Sequence, residues 1–519
     1  MAMPTITKDV VTLLVGMVKT PSLINSVDVT SISMDSRRVE QGALFIATAT
    51  AYEQRTHHIE QAVEHGAKAV LIEQALPLNE QEIACLAVAK IQVIVVTCLA
   101  DKASEIAARF FGHPSLALTV IAITGTNGKT TVSHFIAQCL ESTGQACGVI
   151  GTLGIGRLED LAETGMTTPD PVILQAALAT FCHQSIGTVV IEASSHALEQ
   201  GRLNSVAVDV AVLTNLSRDH LDYHQDMATY AAAKKRLFDF VSVKTAVINV
   251  DDDFGQRLIA ELASRDDMAM MSYSQGSAQS TLAAKDIETS HKGLNFTLAS
   301  DTKSGQVQSD VLGDFNIDNL LATAGSLLAI NLPFDNVVKV ISQCTAIRGR
   351  MQKVGNEKQV TVVIDFAHTP DALEKALQSL RHHMQAQGQL WCVFGCGGDR
   401  DIGKRPLMGA SAEHYADHVV LTADNPRSED NHAIVASILN GMRNQESQDK
   451  THVEHDRKRA IAHAINEAKQ QDIILVAGKG HEQYQVISGV KHPFSDMQVV
   501  IDALAAANDA HSMSAGANK

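Results

Sequence analysis

The chain has 519 residues, 45% of them hydrophobic and 19% charged, with only 11 prolines, a balance that belongs to a packed protein and excludes a disordered one. A formal charge of −16 excludes a sequence-independent grip on nucleic acid, which needs surplus Lys and Arg to displace counterions. Length alone suggests about two to four domains, and the motifs below fit three.

The eight cysteines are scattered without paired metal spacing and mostly sit in apolar runs, so free thiols in a reducing cytoplasm are expected. The apolar stretch from Val10 to Val18 is too short to span a bilayer and has neither a basic flank nor a cleavage pattern. Membrane insertion and export are therefore not expected.

Residues 1–98 read as a small α/β domain, with a polar turn from Ser33 to Arg37 and a buried strand from Gly42 to Ala47. Residues 99–347 read as a central domain built on a large parallel sheet. Its first strand, Thr119 to Thr124, is a continuous apolar run, and Val132, Phe135, Ile136, Cys139 and Leu140 recur at helical spacing after it. Between them lies Gly125-Thr126-Asn127-Gly128-Lys129-Thr130-Thr131. Two glycines, a lysine and a hydroxyl between a strand and a helix let backbone N–H groups wrap phosphate oxygens, with Lys129 on the outer phosphates and Thr130 on Mg²⁺. Ile123 stands where the full Walker pattern has its first glycine.

Further buried strands are expected at Thr188 to Ile191, Val208 to Leu213 and Ala246 to Val250. Glu192-Ala193-Ser194-Ser195-His196 leaves the second of the sheet's strands, and the segment from Asn215 to Asp222 leaves the third. In open α/β sheets ligands sit at the carboxyl ends of strands, so Glu192 and His220 become candidate metal ligands beside Lys129. Residues 348–519 show strands at Val360 to Ile364, Leu390 to Phe394, His418 to Leu421 and Ile473 to Val476 with helical stretches between them, a third α/β domain of dinucleotide-fold shape. The tail from Ala507, rich in Ala, Asn and Ser, is expected to fray.

These segments, in this order, resemble the Mur ligases, and the resemblance runs from about residue 30 to about residue 500. It implies an α/β architecture of three domains: a small N-terminal one, a central ATPase domain on a P-loop-type parallel sheet, and a C-terminal Rossmann-like one. Tyr230-Ala231-Ala232-Ala233-Lys234 resembles the segment whose lysine is carbamylated by CO₂, which would make Lys234 an oxygen ligand for a second Mg²⁺. Without the resemblance, Lys234 reads as a surface lysine beside Lys235 and Arg236. The implied metal set is Thr130, Glu192, His220 and Lys234, for two Mg²⁺ ions, and the implied catalytic set is Lys129, His220 and Lys234.

The stretches at Gly313 to Asn319, at Gly349-Arg350-Met351 and at Asp365 to Asp371 resemble those that meet ATP, giving Asn316, Arg350, Asp365 and His368 beside the loop residues 125–131. The family often has glutamate where Gln352 stands here, and Met497 is a second small departure. Ser33, Ser36, Thr167, Thr168, Ser194, Gln200 and Arg202 match the segments that hold the UDP-sugar substrate. Gly398-Asp399-Arg400, Asp424-Asn425-Pro426-Arg427 and Gly478-Lys479-Gly480-His481-Glu482 resemble the diaminopimelate-adding branch, with Arg400, Asp424, Asn425, Arg427, Gly478 and Glu482 as acceptor residues. An arginine fork suits the distal carboxylate of meso-diaminopimelate and a carboxylate suits its ammonium, whereas L-lysine would set its ammonium against Arg427.

The implied activity is ATP-dependent addition of meso-2,6-diaminopimelate to UDP-N-acetylmuramoyl-L-alanyl-D-glutamate by a cytoplasmic monomer acting on small molecules. A lysine-adding or folate polyglutamate ligase is the same-class alternative. A nucleotide-binding regulator with a retired site is the alternative from another class.

Overall fold

The computed structural model describes residues 6–18, 25–276, 280–355, 360–384, 387–442 and 450–516, with side chains in the last helix described to residue 507. Contacts divide the chain into two compact units, Met1–Ser272 with Gly325–Leu332, and Tyr273–Ala324 with Pro333–Lys519.

In the first unit, four parallel strands pair in chain order: β1 (Ser31–Ser33), β2 (Ala43–Ala47), β3 (Ala69–Glu73) and β4 (Gln92–Val96). Alternation puts Leu44 and Ile46 on one face, with Leu99, Ile106 and Phe110 of helix α3 (Leu99–Phe111). Phe45 and Ala47 face the other way, into a core shared with Ile59 and Ala62 of α1 (Tyr52–Glu64) and Leu86 of α2 (Glu80–Val88). Arg55 and Glu82 form a fully buried ion pair at 2.6 Å between α1 and α2.

The larger sheet of this unit is built on β5 (Thr119–Thr124), β6 (Cys147–Gly151), β7 (Gly154–Arg157), β8 (Asp160–Ala162), β9 (Thr188–Glu192), β10 (Val210–Leu213) and β11 (Thr245–Asn249). Their order is β8-β7-β6-β9-β5-β10-β11. The core strands are parallel and the β6-β7-β8 edge is antiparallel. Parallel strands covered on both faces read as unbroken apolar runs, which is why the first, second and third strand expectations hold to within two residues. Helices α4 (Lys129–Ser142), α5 (Pro171–His183) and α6 (Met227–Lys235) belong to this layer; α5 starts on Asp170, whose side chain accepts from Val172 N and Ile173 N, with proline at its first position.

The second unit opens with an antiparallel meander, β12 (Leu282–Ser290), β13 (Gly293–Ser300) and β14 (Ser304–Ser309), which the sequence reading did not single out. Its main sheet contains β15 (Gln352–Val354), β16 (Thr361–Asp365), β17 (Leu390–Phe394), β18 (His418–Leu421), β19 (Thr451–Val453) and β20 (Ile473–Ala477), in the order β15-β16-β20-β17-β18-β19. All are parallel except β15. Helices α7 (Pro370–His383), α8 (Lys404–Tyr415) and α9 (Asn431–Leu439) contribute to the core on one face, and α10 (Arg457–Glu467) and α11 (Asp496–Gly516) to that on the other. The last helix continues beyond Ala507, so the frayed tail read from composition is corrected: its alanines suit a helix. Residues 517–519 lie outside the described residues.

All eight cysteines are free thiols, five of them buried and Cys98 exposed. Among the described residues no helix is long and apolar enough to cross a membrane.

Candidate active site

The register of the central sheet aligns the ends of three neighbouring strands. Glu192 pairs with Ile123, and Leu213 with Thr124, so β5, β9 and β10 deliver the residues that follow them to one edge. Gly125 leaves β5 with φ +148°, and a Cβ there would come within 1.8 Å of Thr214 Oγ1; only glycine fits. The loop is tied to the segment after β10: Thr126 N donates to Asn215 O at 2.8 Å, Asn127 N to Asn215 Oδ1 at 3.0 Å, and Thr214 Oγ1 to Asn127 O at 2.6 Å. Gly128, with φ +88°, then caps α4.

Two lysines meet at this loop. Lys129 Nζ donates to the carbonyls of Gly125 and Thr126, both at 2.9 Å, and Lys234 Nζ donates to Gly125 O at 2.8 Å. Lys234 lies on the buried face of α6 with Tyr230 and Ala233, 1% exposed, with its ammonium 4.3 Å from the Tyr230 ring centre. Burial, and then the charge of Lys129, hold its pKa well below the usual lysine range, against the pull of Asp219. The surface-lysine reading is thereby corrected.

Glu192 is fully buried. Its Oε2 accepts from Thr130 Oγ1 and Thr152 Oγ1, both at 2.9 Å, and its Oε1 accepts from Thr152 N at 3.0 Å. His220 stands at the rim with φ +54° and a side chain 47% exposed. Partial burial and the charges of Lys129 and Lys234 lower its pKa, while Asp219 raises it. Thr130, Glu192, Lys129 and Lys234 are thus drawn together, with His220 beside Tyr230 at 6.2 Å between ring centres. Among the described residues no group of three His, Cys, Asp or Glu forms a metal cage, and the expected set holds only Glu192 and His220 of those types. Its donors, a threonine hydroxyl and a carboxylate, are the hard oxygens that suit Mg²⁺.

Of the residues expected to hold the second substrate, five form one network. Thr167 and Thr152 share a hydroxyl bond at 3.0 Å, Thr168 Oγ1 donates to Glu192 O at 2.6 Å and to Ser194 Oγ at 3.1 Å, and Arg202 donates to Thr168 O at 2.6 Å and to Gln200 Oε1 at 2.6 Å. Ser33 is engaged in its own turn, where its Oγ donates to Asp35 O, and Ser36 Oγ donates to Gln61 Oε1 of α1.

In the second unit, β17, β18 and β20 are also parallel neighbours, and the loops after them interlock. Arg427, with φ +53°, donates from N to Val486 O at 3.0 Å and from Nη1 to Gly398 O at 2.7 Å. Arg405 and Glu429 pair at 2.8 Å, and Glu429 Oε1 accepts from Asp399 N, which fixes the loop carrying the exposed Arg400. Gly478 has φ +112°, and a Cβ there would lie 2.5 Å from Asp424 Oδ2. Asn425 Nδ2 donates to Glu482 Oε2 at 2.9 Å. Asp424, Asn425, Arg427, Gly478 and Glu482 therefore share one loop cluster.

Elsewhere in this unit, Asp365 accepts from Met351 N at 2.7 Å and Ala367 N at 2.8 Å, and burial raises its pKa despite Arg350. The Arg350 guanidinium lies 4.5 Å from the Phe366 ring centre, and His368 bonds Phe366 O at 2.9 Å. Asn316 is turned inward: its Nδ2 donates to Leu312 O and its Oδ1 accepts from Asn319.

A family model for the Mur ligase middle domain matches residues 123–327, and one for the Mur ligase glutamate ligase domain matches residues 349–480. A UDP-N-acetylmuramoyl-L-alanyl-D-glutamate--2,6-diaminopimelate ligase of Ectopseudomonas mendocina is 44% identical over 493 residues, covering 95% of this chain and 98% of the relative. This chain belongs to the Mur ligase family. A relative of the same name from Chromobacterium violaceum is 45% identical over 476 residues, 92% of this chain and 94% of its own. A solved ligase structure, also of that name, is similar with a TM-score of 0.66 at 39% identity, covering 92% of this Mur ligase and 95% of that chain.

Sequence reasoning missed several residues that shape this Mur ligase. Thr152 supplies two of the donors to Glu192, Arg457 makes a buried pair with Asp496 at 2.7 Å, and Lys479 is buried beside Glu482. For Lys234 a signal was available: Tyr230, Ala233 and Lys234 fall at i, i+3 and i+4, one helical face. Gln352 accepts from Gly349 N at 2.8 Å, a bond in which only its carbonyl oxygen takes part.

Proposed function

We propose that this Mur ligase adds meso-2,6-diaminopimelate to the D-glutamate carboxylate of UDP-N-acetylmuramoyl-L-alanyl-D-glutamate with consumption of ATP, as a cytoplasmic monomer in peptidoglycan precursor synthesis. The observation that carries the reading is the identity of 44 to 45% with relatives of that activity over more than nine-tenths of the chain. The boundaries 1–98, 99–347 and 348–519 for donor, ATP and acceptor domains belong to the same proposal.

The loop geometry supports the following roles. Lys129 exchanges the carbonyls of Gly125 and Thr126 for the outer phosphate oxygens of ATP, and loop N–H groups take the rest. Thr130, Glu192 and His220 hold Mg²⁺, which when bound offsets the charge of the transferring phosphoryl group. The donor carboxylate attacks the γ-phosphorus, ADP departs, and an acyl phosphate remains. The acceptor amine then attacks the acyl carbon, and phosphate leaves as the amide forms. Burial that keeps Lys234 neutral also leaves its amine nucleophilic toward CO₂. Forming the N–C bond and releasing one proton would convert the neutral amine into the anionic oxygen donor expected for a second ion.

Arg427 and Arg400 take the distal carboxylate of the acceptor, and Glu482 with Asp424 its ammonium. Phosphate release with purified protein, Mg²⁺, ATP and the muramoyl dipeptide tests the reading. Release with meso-diaminopimelate and not with L-lysine is expected; release with L-lysine instead would sink the acceptor assignment, and release with neither would sink the reaction.

A further inference from the structure

Lys479 is a fully buried cation for which the chemistry above has no task. It sits between two glycines of positive φ, Gly478 and Gly480, in the loop that follows β20. Its Nζ donates to Glu482 Oε2 at 2.7 Å and to Asn425 Oδ1 at 3.2 Å. Asn425 closes the ring by donating from Nδ2 to the same Glu482 oxygen at 2.9 Å. The ring is anchored to the backbone, because Val486 N donates to Asn425 Oδ1 at 2.8 Å. Taking an ammonium out of water is costly unless it is paired and hydrogen-bonded, and a pair that served stability alone could be replaced by apolar side chains.

Both donors fall on Oε2. Oε1 is then the oxygen through which Glu482, whose side chain is 23% exposed, can meet a ligand. We propose that Lys479 is a positioning residue for the acceptor amino acid, locking Glu482 and Asn425 into one geometry in which Glu482 Oε1 is held ready for the acceptor's ammonium. This rests on the reading that Glu482 receives that ammonium. The same contact keeps the carboxylate charged: burial raises the Glu482 pKa, and Lys479, Asn425 and His481 together bring it below the usual range. Arg457 of α10 faces both Glu482 and Asp424.

The test uses the full-length protein and phosphate release, comparing the parent, Lys479→Met, Glu482→Gln and the double variant while meso-diaminopimelate or ATP is varied. Lys479→Met is expected to raise the acceptor KM about tenfold or more and to leave the ATP KM within about twofold, since no ATP contact is lost. Its acceptor kcat/KM should acquire an acidic limb at higher pH than the parent's. Because Lys479 acts through Glu482, the double variant should lose no more acceptor affinity than Glu482→Gln alone. Additive losses, or an equal rise in the KM of ATP and acceptor, would overturn the proposal while leaving the acceptor reading intact. An unchanged acceptor KM in Glu482→Gln would overturn both. If Lys479→Met does not melt cooperatively, Lys479→Gln, which keeps a donor and loses the charge, is read by the same criteria.

Discussion

Lys129 and Lys234 donate to one and the same carbonyl oxygen, that of Gly125, at 2.9 and 2.8 Å. Two ammonium groups on one acceptor repel, and with Lys234 buried the cheaper outcome is that Lys234 gives up its proton. A basic group whose folded pKa is depressed leaves the unfolded chain holding more protons, so stability rises with pH through the window from that depressed value to about 10.4. Lys234→Met is therefore expected to melt at or above the parent temperature at neutral pH, and to lose phosphate release by about a hundredfold or more. A large drop in melting temperature would mean that the lysine is structural.

Glu192 is a fully buried carboxylate that accepts from three donors in the loop cluster. Glu192→Gln would aim an amide NH₂ at the Thr130 or Thr152 donors, costing about 1–3 kcal/mol by leaving buried donors unmatched. It should also shift the Mg²⁺ requirement upward by about tenfold or more. Urea denaturation and a Mg²⁺ titration of phosphate release check the two effects separately.

Arg427 holds a fork shape that lysine cannot copy. Arg427→Lys keeps the charge and loses bidentate geometry, so the acceptor KM should rise about tenfold or more while the ATP KM stays put. Steady-state kinetics with each substrate varied in turn decide it; a matching rise for ATP would show a general loop defect.

The Arg457–Asp496 pair, with both side chains fully buried, has a purely structural expectation. Arg457 also donates to Ala477 O at 2.9 Å, at the end of β20. Arg457→Met leaves Asp496 as an unpaired buried charge and should cost about 3–5 kcal/mol in urea denaturation.

His383 gives the pH dependence. Its Nδ1 donates to Ser290 O at 2.6 Å and its Nε2 accepts from Gly313 N at 2.9 Å, a pairing open only to the neutral ring. Burial lowers its pKa. Stability from this group is complete above the unfolded value of about 6.5 and is lost as pH falls from there to the depressed folded value. His383→Gln should flatten the acid side of the stability curve in thermal melts; an unchanged slope would refute the assignment.

How much of this was legible follows from what a one-dimensional pattern can carry. Strands β5, β9 and β17 announced themselves because parallel strands buried on both faces are apolar throughout, and Gly125 to Thr131 because its chemistry is contiguous. The meander β12–β14 did not, since the stretch from Lys285 to Glu288 is exposed and three of its four residues, Lys285, Asp286 and Glu288, are charged. Thr152 and Arg457 act on partners 40 and 39 positions away, and no local spacing encodes such a meeting; Lys479 meets Glu482 three positions on, while its bond to Asn425 spans 54. Asn316 was legible as a position, but its inward hydrogen bonds were not.

Glu192 touches the phosphate loop through its side chain and Thr168 through its main chain. On the proposed roles of Thr130 and Thr168, nucleotide handling and donor-substrate handling would not be separable modules. Variants at Thr130 and Thr168 should show epistasis across the one carboxylate residue they share, so a library that varies either position alone would misjudge which substitutions are tolerated.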